Sequence, residues 1–122
     1  MTQKILCIEP IEQEYAVMSD LFLNLGFKPV LATTDGKGIA TFREQKNDIS
    51  MIVLDHFPNF VEVHSTIKNL RKIDPDIPIV VLSGADLPEW YRRACIEAGC
   101  KEFLSKPVSD VYWMQILGEY TH

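Results

Sequence analysis

Three stretches of this sequence are apolar almost without interruption: KILCI (residues 4 to 8), ISMIVLD (49 to 55) and IPIVVLSG (77 to 84). A strand with one face in water alternates apolar and polar residues. A strand that does not alternate needs cover on both faces, which a parallel sheet between two layers of helices provides. KPVLAT (28 to 33) and KEFLSK (101 to 106) read as two shorter strands.

The segments between these strands carry helical spacing. Ile11, Tyr15, Met18, Phe22 and Leu25 recur at three and four residues and stop at Gly26. Thr34 or Asp35 is placed to cap a helix carrying Ile39, Ala40 and Phe42. A helix from about Val61 to Arg71 turns Val63, Ile67 and Leu70 inward and ends before the turn DPD. Another has Pro88 in its first turn and stops at Gly99, and a last one buries Trp113, Ile116, Leu117 and Tyr120. Five strands alternating with five helices define an α/β chain. The right-handed crossover rule makes it a doubly wound five-stranded parallel sheet flanked by five helices, a three-layer sandwich.

The chain has 122 residues, 47% of them hydrophobic, which suits one domain over residues 1–122. Its formal charge is −5 and its Lys and Arg residues do not cluster, which argues against direct nucleic-acid binding or an anionic membrane surface. No apolar run approaches the roughly 20 residues of a membrane span and no signal-peptide pattern opens the chain, so the expected location is cytoplasmic. Cys7, Cys95 and Cys100 have no metal or redox spacing and read as small core residues.

In an open parallel sheet, ligands lie beyond the carboxyl ends of the strands. The residues that end the five strands are Glu9, Thr33, Asp55, Ser83 and Lys106. Two carboxylates, a hydroxyl and an ammonium suit a divalent cation and a phosphoryl group held at one place.

Together, ILCIE on the first strand, IVLD on the third, VVLSG on the fourth and AGCKEFLSKP across the fifth resemble the receiver (response-regulator) domain family of two-component signalling, over essentially the whole chain. The resemblance implies a flavodoxin-like fold and names Asp55 as acceptor of a phosphoryl group from a phosphohistidine on a histidine kinase or phosphotransfer protein. It gives Ser83 and Lys106 catalytic roles on the phosphoryl oxygens. It assigns Mg²⁺ to Glu9, Asp55 and the backbone carbonyl of Phe57, and makes Ser83 and Phe103 a switch of the helix 4, strand 5, helix 5 face. Phe103 has no hydroxyl, so its part in a switch rests on packing. The fourth and fifth helices are then the expected face for an output partner or a second copy of the chain. The chain would be no enzyme beyond catalysing its own phosphorylation and dephosphorylation.

Two positions depart from the family pattern. The family ends its first strand with two acids, the second a direct metal ligand; here Glu9 is followed by Pro10, which offers no side-chain oxygen, so Mg²⁺ is expected to bind weakly. The family's proline stands four residues after the acceptor, whereas Pro58 stands three after Asp55. Pro10 also fits a competing reading, a pseudo-receiver that is never phosphorylated, with Asp55 bridged to Lys106 and the domain acting in protein interaction or dimerisation. A phosphatase using Asp55 as nucleophile is disfavoured because Phe57 occupies the place of the usual general acid. His56 reads as a loop residue, DGKGIA (35 to 40) as a flexible helix start, and Trp90 as an exposed aromatic available to a partner.

Overall fold

The computed structural model describes residues 2–55 and 60–121. Its ten elements alternate: β1 (Lys4–Ile8), α1 (Glu12–Asn24), β2 (Lys28–Ala32), α2 (Asp35–Gln45), β3 (Ile49–Asp55), α3 (Phe60–Ile73), β4 (Ile79–Ser83), α4 (Glu89–Ala98), β5 (Glu102–Ser105) and α5 (Asp110–Tyr120). The strands form one parallel sheet in the order β2-β1-β3-β4-β5. This is the doubly wound arrangement that the apolar strands predict.

Side chains leave successive strand residues on opposite faces, and here that alternation separates two cores. Ile5, Cys7, Met51, Val53, Val80 and Leu82 pack with Met18 and Phe22 of α1 and Trp113, Ile116 and Leu117 of α5. The edge-on contact of Phe22 with Trp113, ring centres 5.1 Å apart, ties those two helices together. Leu6, Ile8, Ile52, Leu54, Ile79 and Val81 pack on the other face with Phe42, Val63, Ile67, Leu70, Tyr91 and Cys95 of α2, α3 and α4. All three cysteines are free and buried, as the sequence implies. Burial pushes the thiols up, Cys95 to about 11 and Cys100 to about 12, so they stay protonated and inert at neutral pH.

Local chemistry sets the helix ends. Thr34 accepts a hydrogen bond from Lys37 N (3.1 Å) and Ser109 one from Tyr112 N (3.1 Å), each capping its helix. Gly99 has φ +125°, where a side chain would be strained, and its carbonyl accepts from Arg71 Nε at 2.9 Å. Several expectations shift. Pro88 is the N-cap of α4 rather than a first-turn residue, and Tyr120 is only half-buried. On α2, Ala40 faces solvent, and Gly38 takes the inward place because the helix crosses very close to Ile8.

That close approach can be tested. A Cβ on Gly38 would lie 2.6 Å from Ile8 Cγ1, whereas one on Gly36, in the same helix, would meet nothing within 4 Å. Gly38→Ala is expected to destabilise by about 1 to 3 kcal/mol through overpacking. Gly36→Ala should be neutral or stabilise by up to about 1 kcal/mol through helix propensity. Urea denaturation of both variants checks the difference.

Candidate functional site

The register explains why the acids meet. Ile8 pairs with Leu54 and Asp55 with Leu82, so Glu9, the next residue of the first chain, stands beside Asp55 at the carboxyl edge. Glu9 N donates to Ala32 O (2.9 Å) and Lys106 N to Ser83 O (2.8 Å), which carries the sheet pattern one residue further on both sides. By the two-residue alternation, Glu9 follows Cys7, Asp55 follows Val53 and Lys106 follows Leu104. All three therefore project on the face covered by α1 and α5.

Lys106 is the centre of the cluster. Its Nζ donates to Asp55 Oδ1 at 2.8 Å and Oδ2 at 3.0 Å, and to Glu14 Oε1 at 2.9 Å. Glu9 is 1% exposed and Asp55 4%. Glu9 Oε1 has no hydrogen-bond partner among the described residues. Glu9, Glu14 and Asp55 each bring one oxygen within 4.8 Å of the others, a set of hard donors suited to a hard divalent cation. A groove of about 470 Å³ between α1 and α5 opens onto Glu14, Asp55 and Lys106, with Val17, Val108 and Trp113 among its apolar walls.

Ser83 follows Val81 and so lies on the opposite pleat. Its hydroxyl donates to Ala85 O (2.9 Å) and accepts from Ala85 N (3.2 Å), which ties it into the turn after β4. Phe103 is half-buried, its ring 5.9 Å from that of Tyr91. Tyr91 in turn meets Phe60 at 5.1 Å and Trp90 at 5.8 Å. Trp90 is 59% exposed, as its place on α4 predicts. Thr33, at the end of the second strand, is half-buried. His56, Phe57 and Pro58, and with them the expected Phe57 carbonyl ligand, lie outside the described residues. The Lys106-Pro107 bond is cis.

No protein-family model matches the chain. Among curated proteins, the two-component response regulator ORR11 of Oryza sativa subsp. indica is 27% identical over 111 residues, 88% of this chain and 74% of that protein. The response regulator ORR5 of Oryza sativa subsp. japonica is likewise 27% identical over 111 residues, 81% of its length. Among solved structures, the receiver domain of the sensor histidine kinase PA1611 from Pseudomonas aeruginosa PAO1 superposes with a TM-score of 0.83 at 21% identity, over 98% of each chain. That structure has a magnesium ion coordinated in its active-site cleft. A response regulator receiver domain protein from Clostridium thermocellum gives a TM-score of 0.86 at 21% identity, over 97% of this chain and 93% of that one.

The chain has the fold of receiver domains. Its sequence-predicted residues Glu9, Asp55 and Lys106 come together at the carboxyl edge of the sheet, and the Ser83 hydroxyl is engaged in the turn after β4. Glu14 is the site residue that sequence reasoning missed. It sits in the first turn of α1, where an acid is also favoured by the helix dipole, and that ordinary role conceals the other.

Burial, then the Asp55 charge, then contact with Glu14 push the Glu9 carboxyl up to about 9. Glu14 is held below the usual carboxylate range by Lys106 and Glu9. Burial raises Asp55 and Lys106 pulls it back only in part. Burial acts to lower Lys106, but its bonds to Asp55 and Glu14 outweigh it and the net shift is upward. In this fold Glu9 therefore holds a proton at neutral pH that the unfolded chain, with a value of 4.5, has released. Between about 4.5 and about 9 the native state binds the extra proton, so this group's contribution to stability falls as pH rises across that window and levels off above it. Without divalent cations, Glu9→Gln is expected to raise the thermal midpoint at pH 8 by about 4 °C, roughly what 1 kcal/mol gives in a domain of this size. The gain should be smaller at pH 5. Equal midpoints of variant and wild type at both pH values in EDTA would contradict a buried, protonated Glu9.

Proposed function

We propose that this chain is a phosphorelay receiver that takes a phosphoryl group from a phosphohistidine partner onto Asp55. The observation that carries the reading is Asp55 itself: a buried carboxylate at the carboxyl edge of a parallel sheet, gripped by Lys106 beside two further acids at the mouth of a groove. One Asp55 oxygen attacks phosphorus as the bond from phosphorus to the partner's imidazole nitrogen breaks, and an acyl phosphate results.

Three features of the chain serve that transfer. Lys106, a compact point charge already at 2.8 Å from Asp55, neutralises the transferring oxygens as it shifts toward them. The Ser83 hydroxyl leaves Ala85 to donate to a phosphoryl oxygen, and the Phe103 ring repacks against Tyr91 as the β4 turn moves. The groove between α1 and α5 is where the partner's imidazole reaches Asp55. A divalent cation fits the donors, since three carboxyl groups meet there and a buried Glu9 oxygen has no partner among the described residues. Bound by Glu9 and Asp55, it would offset the repulsion between two anions. Mg²⁺, carried by the receiver domain of PA1611, is the expected ion.

A second reading has its own support. Lys106 already neutralises Asp55 and Glu14, and Pro10 supplies no oxygen, which suits a pseudo-receiver that works as an interaction or dimerisation module through α4 and α5. Incubation with acetyl phosphate and Mg²⁺, followed by intact-mass measurement, separates the two. Wild type is expected to gain one phosphoryl group and Asp55→Ala none, while Lys106→Ala should react roughly a hundredfold more slowly, the usual loss for one charge-stabilising donor. If wild type gains no mass from acetyl phosphate or from a set of histidine kinases, the pseudo-receiver reading stands instead.

A further inference from the structure

We infer that Glu14 is the cation ligand that replaces the acid missing at Pro10, so that the metal site is shared between the end of β1 and the first turn of α1. The inference rests on the phospho-acceptor reading and deepens it. Pro10 follows Glu9 directly and has no donor, but α1 begins at Glu12 and its first turn lies over the carboxyl edge of the sheet. Glu14 thereby brings an oxygen within 4.8 Å of oxygens of both Glu9 and Asp55.

The charges point the same way. Three carboxyl groups face one ammonium, so the cluster holds more acid than Lys106 can neutralise. Lys106 bonds two of the three acids, Asp55 and Glu14, and among the described residues no cation bonds Glu9. Glu9 is also the most deeply buried of the three, and its Oε1 has no hydrogen-bond partner among the described residues, where a buried polar atom ordinarily has one. An ion between the three acids satisfies that oxygen; a rearrangement of Lys106 would uncover Asp55 instead. Glu14 is free to serve, because its side chain is 43% exposed and its bond to Lys106 is the more solvated of the two. Turning Glu14 from Lys106 to the cation leaves the ammonium held by Asp55 alone, and so easier to shift toward an arriving phosphoryl group.

Calorimetric titration with Mg²⁺ at low ionic strength tests this on the full chain, comparing wild type, Glu14→Gln and Glu12→Gln. Glu12 is an exposed acid of the same helical turn, so its variant carries the same change of charge without the ligand. Circular dichroism and the thermal midpoint of each variant check that the fold is kept. Glu14→Gln is expected to weaken Mg²⁺ binding by roughly tenfold or more, about 1.4 kcal/mol, and Glu12→Gln by less than about twofold. Wild-type affinity in Glu14→Gln, or equal losses in both variants, would overturn the inference while leaving Asp55 as acceptor. No Mg²⁺ binding by wild type at millimolar concentrations would overturn the inference too, and phosphoryl uptake by wild type in the mass experiment would then show that the acceptor reading survives without it.

Discussion

The contact on which the site depends is the one between the Lys106 ammonium and the Asp55 carboxylate. Asp55 is nearly sealed from water, and an ion in that position is tolerated only with a partner and well-placed hydrogen bonds. Lys106 supplies both, with two bonds to the carboxylate, and its own position is fixed by the backbone bond from Lys106 N to Ser83 O, which continues β5 along β4. Removing one partner of such a buried pair typically costs about 3 to 5 kcal/mol, because the other charge is left alone. The same pairing that makes Asp55 tolerable in the fold also holds the reactive groups in register.

Much of this was legible in the sequence, and the reason is the sheet. Strands covered on both faces cannot alternate, so their continuous apolar runs mark them out, and a parallel sheet sends every strand's last residue to one edge. That is why Glu9, Asp55, Ser83 and Lys106 could be named as one site from their places at strand ends. Strand pattern alone did not tell which of them face each other. The alternation along β3, β4 and β5 turns Asp55 and Lys106 to one layer and Ser83 to the other, and the Ser83 hydroxyl takes its bonds from the turn.

Glu14 shows where such reading stops. Its helix was predictable from Tyr15, Met18 and Phe22, and an acid in a first turn needs no further explanation. Its nearness to Asp55 comes from the way α1 docks on the sheet, through Phe22 against Trp113, a contact between elements some ninety residues apart. The depth of Glu9 was hidden for a similar reason: a strand-end acid looks solvated until the helix above it is placed. Gly38 is a third case, since only the closeness of α2 to Ile8 explains a glycine on the inner side of a helix.

The division of the apolar residues into two cores has an optical consequence. Trp113 is buried with α1 and α5 on the site's side of the sheet, and Trp90 lies largely in solvent on the other side, at the end of a run of rings from Phe103 through Tyr91. The chain's two indoles thus sit in different layers and different polarities. The buried indole weights the blue side of the overlapping emission and the exposed one the red side, so each reports on its own side of the sheet.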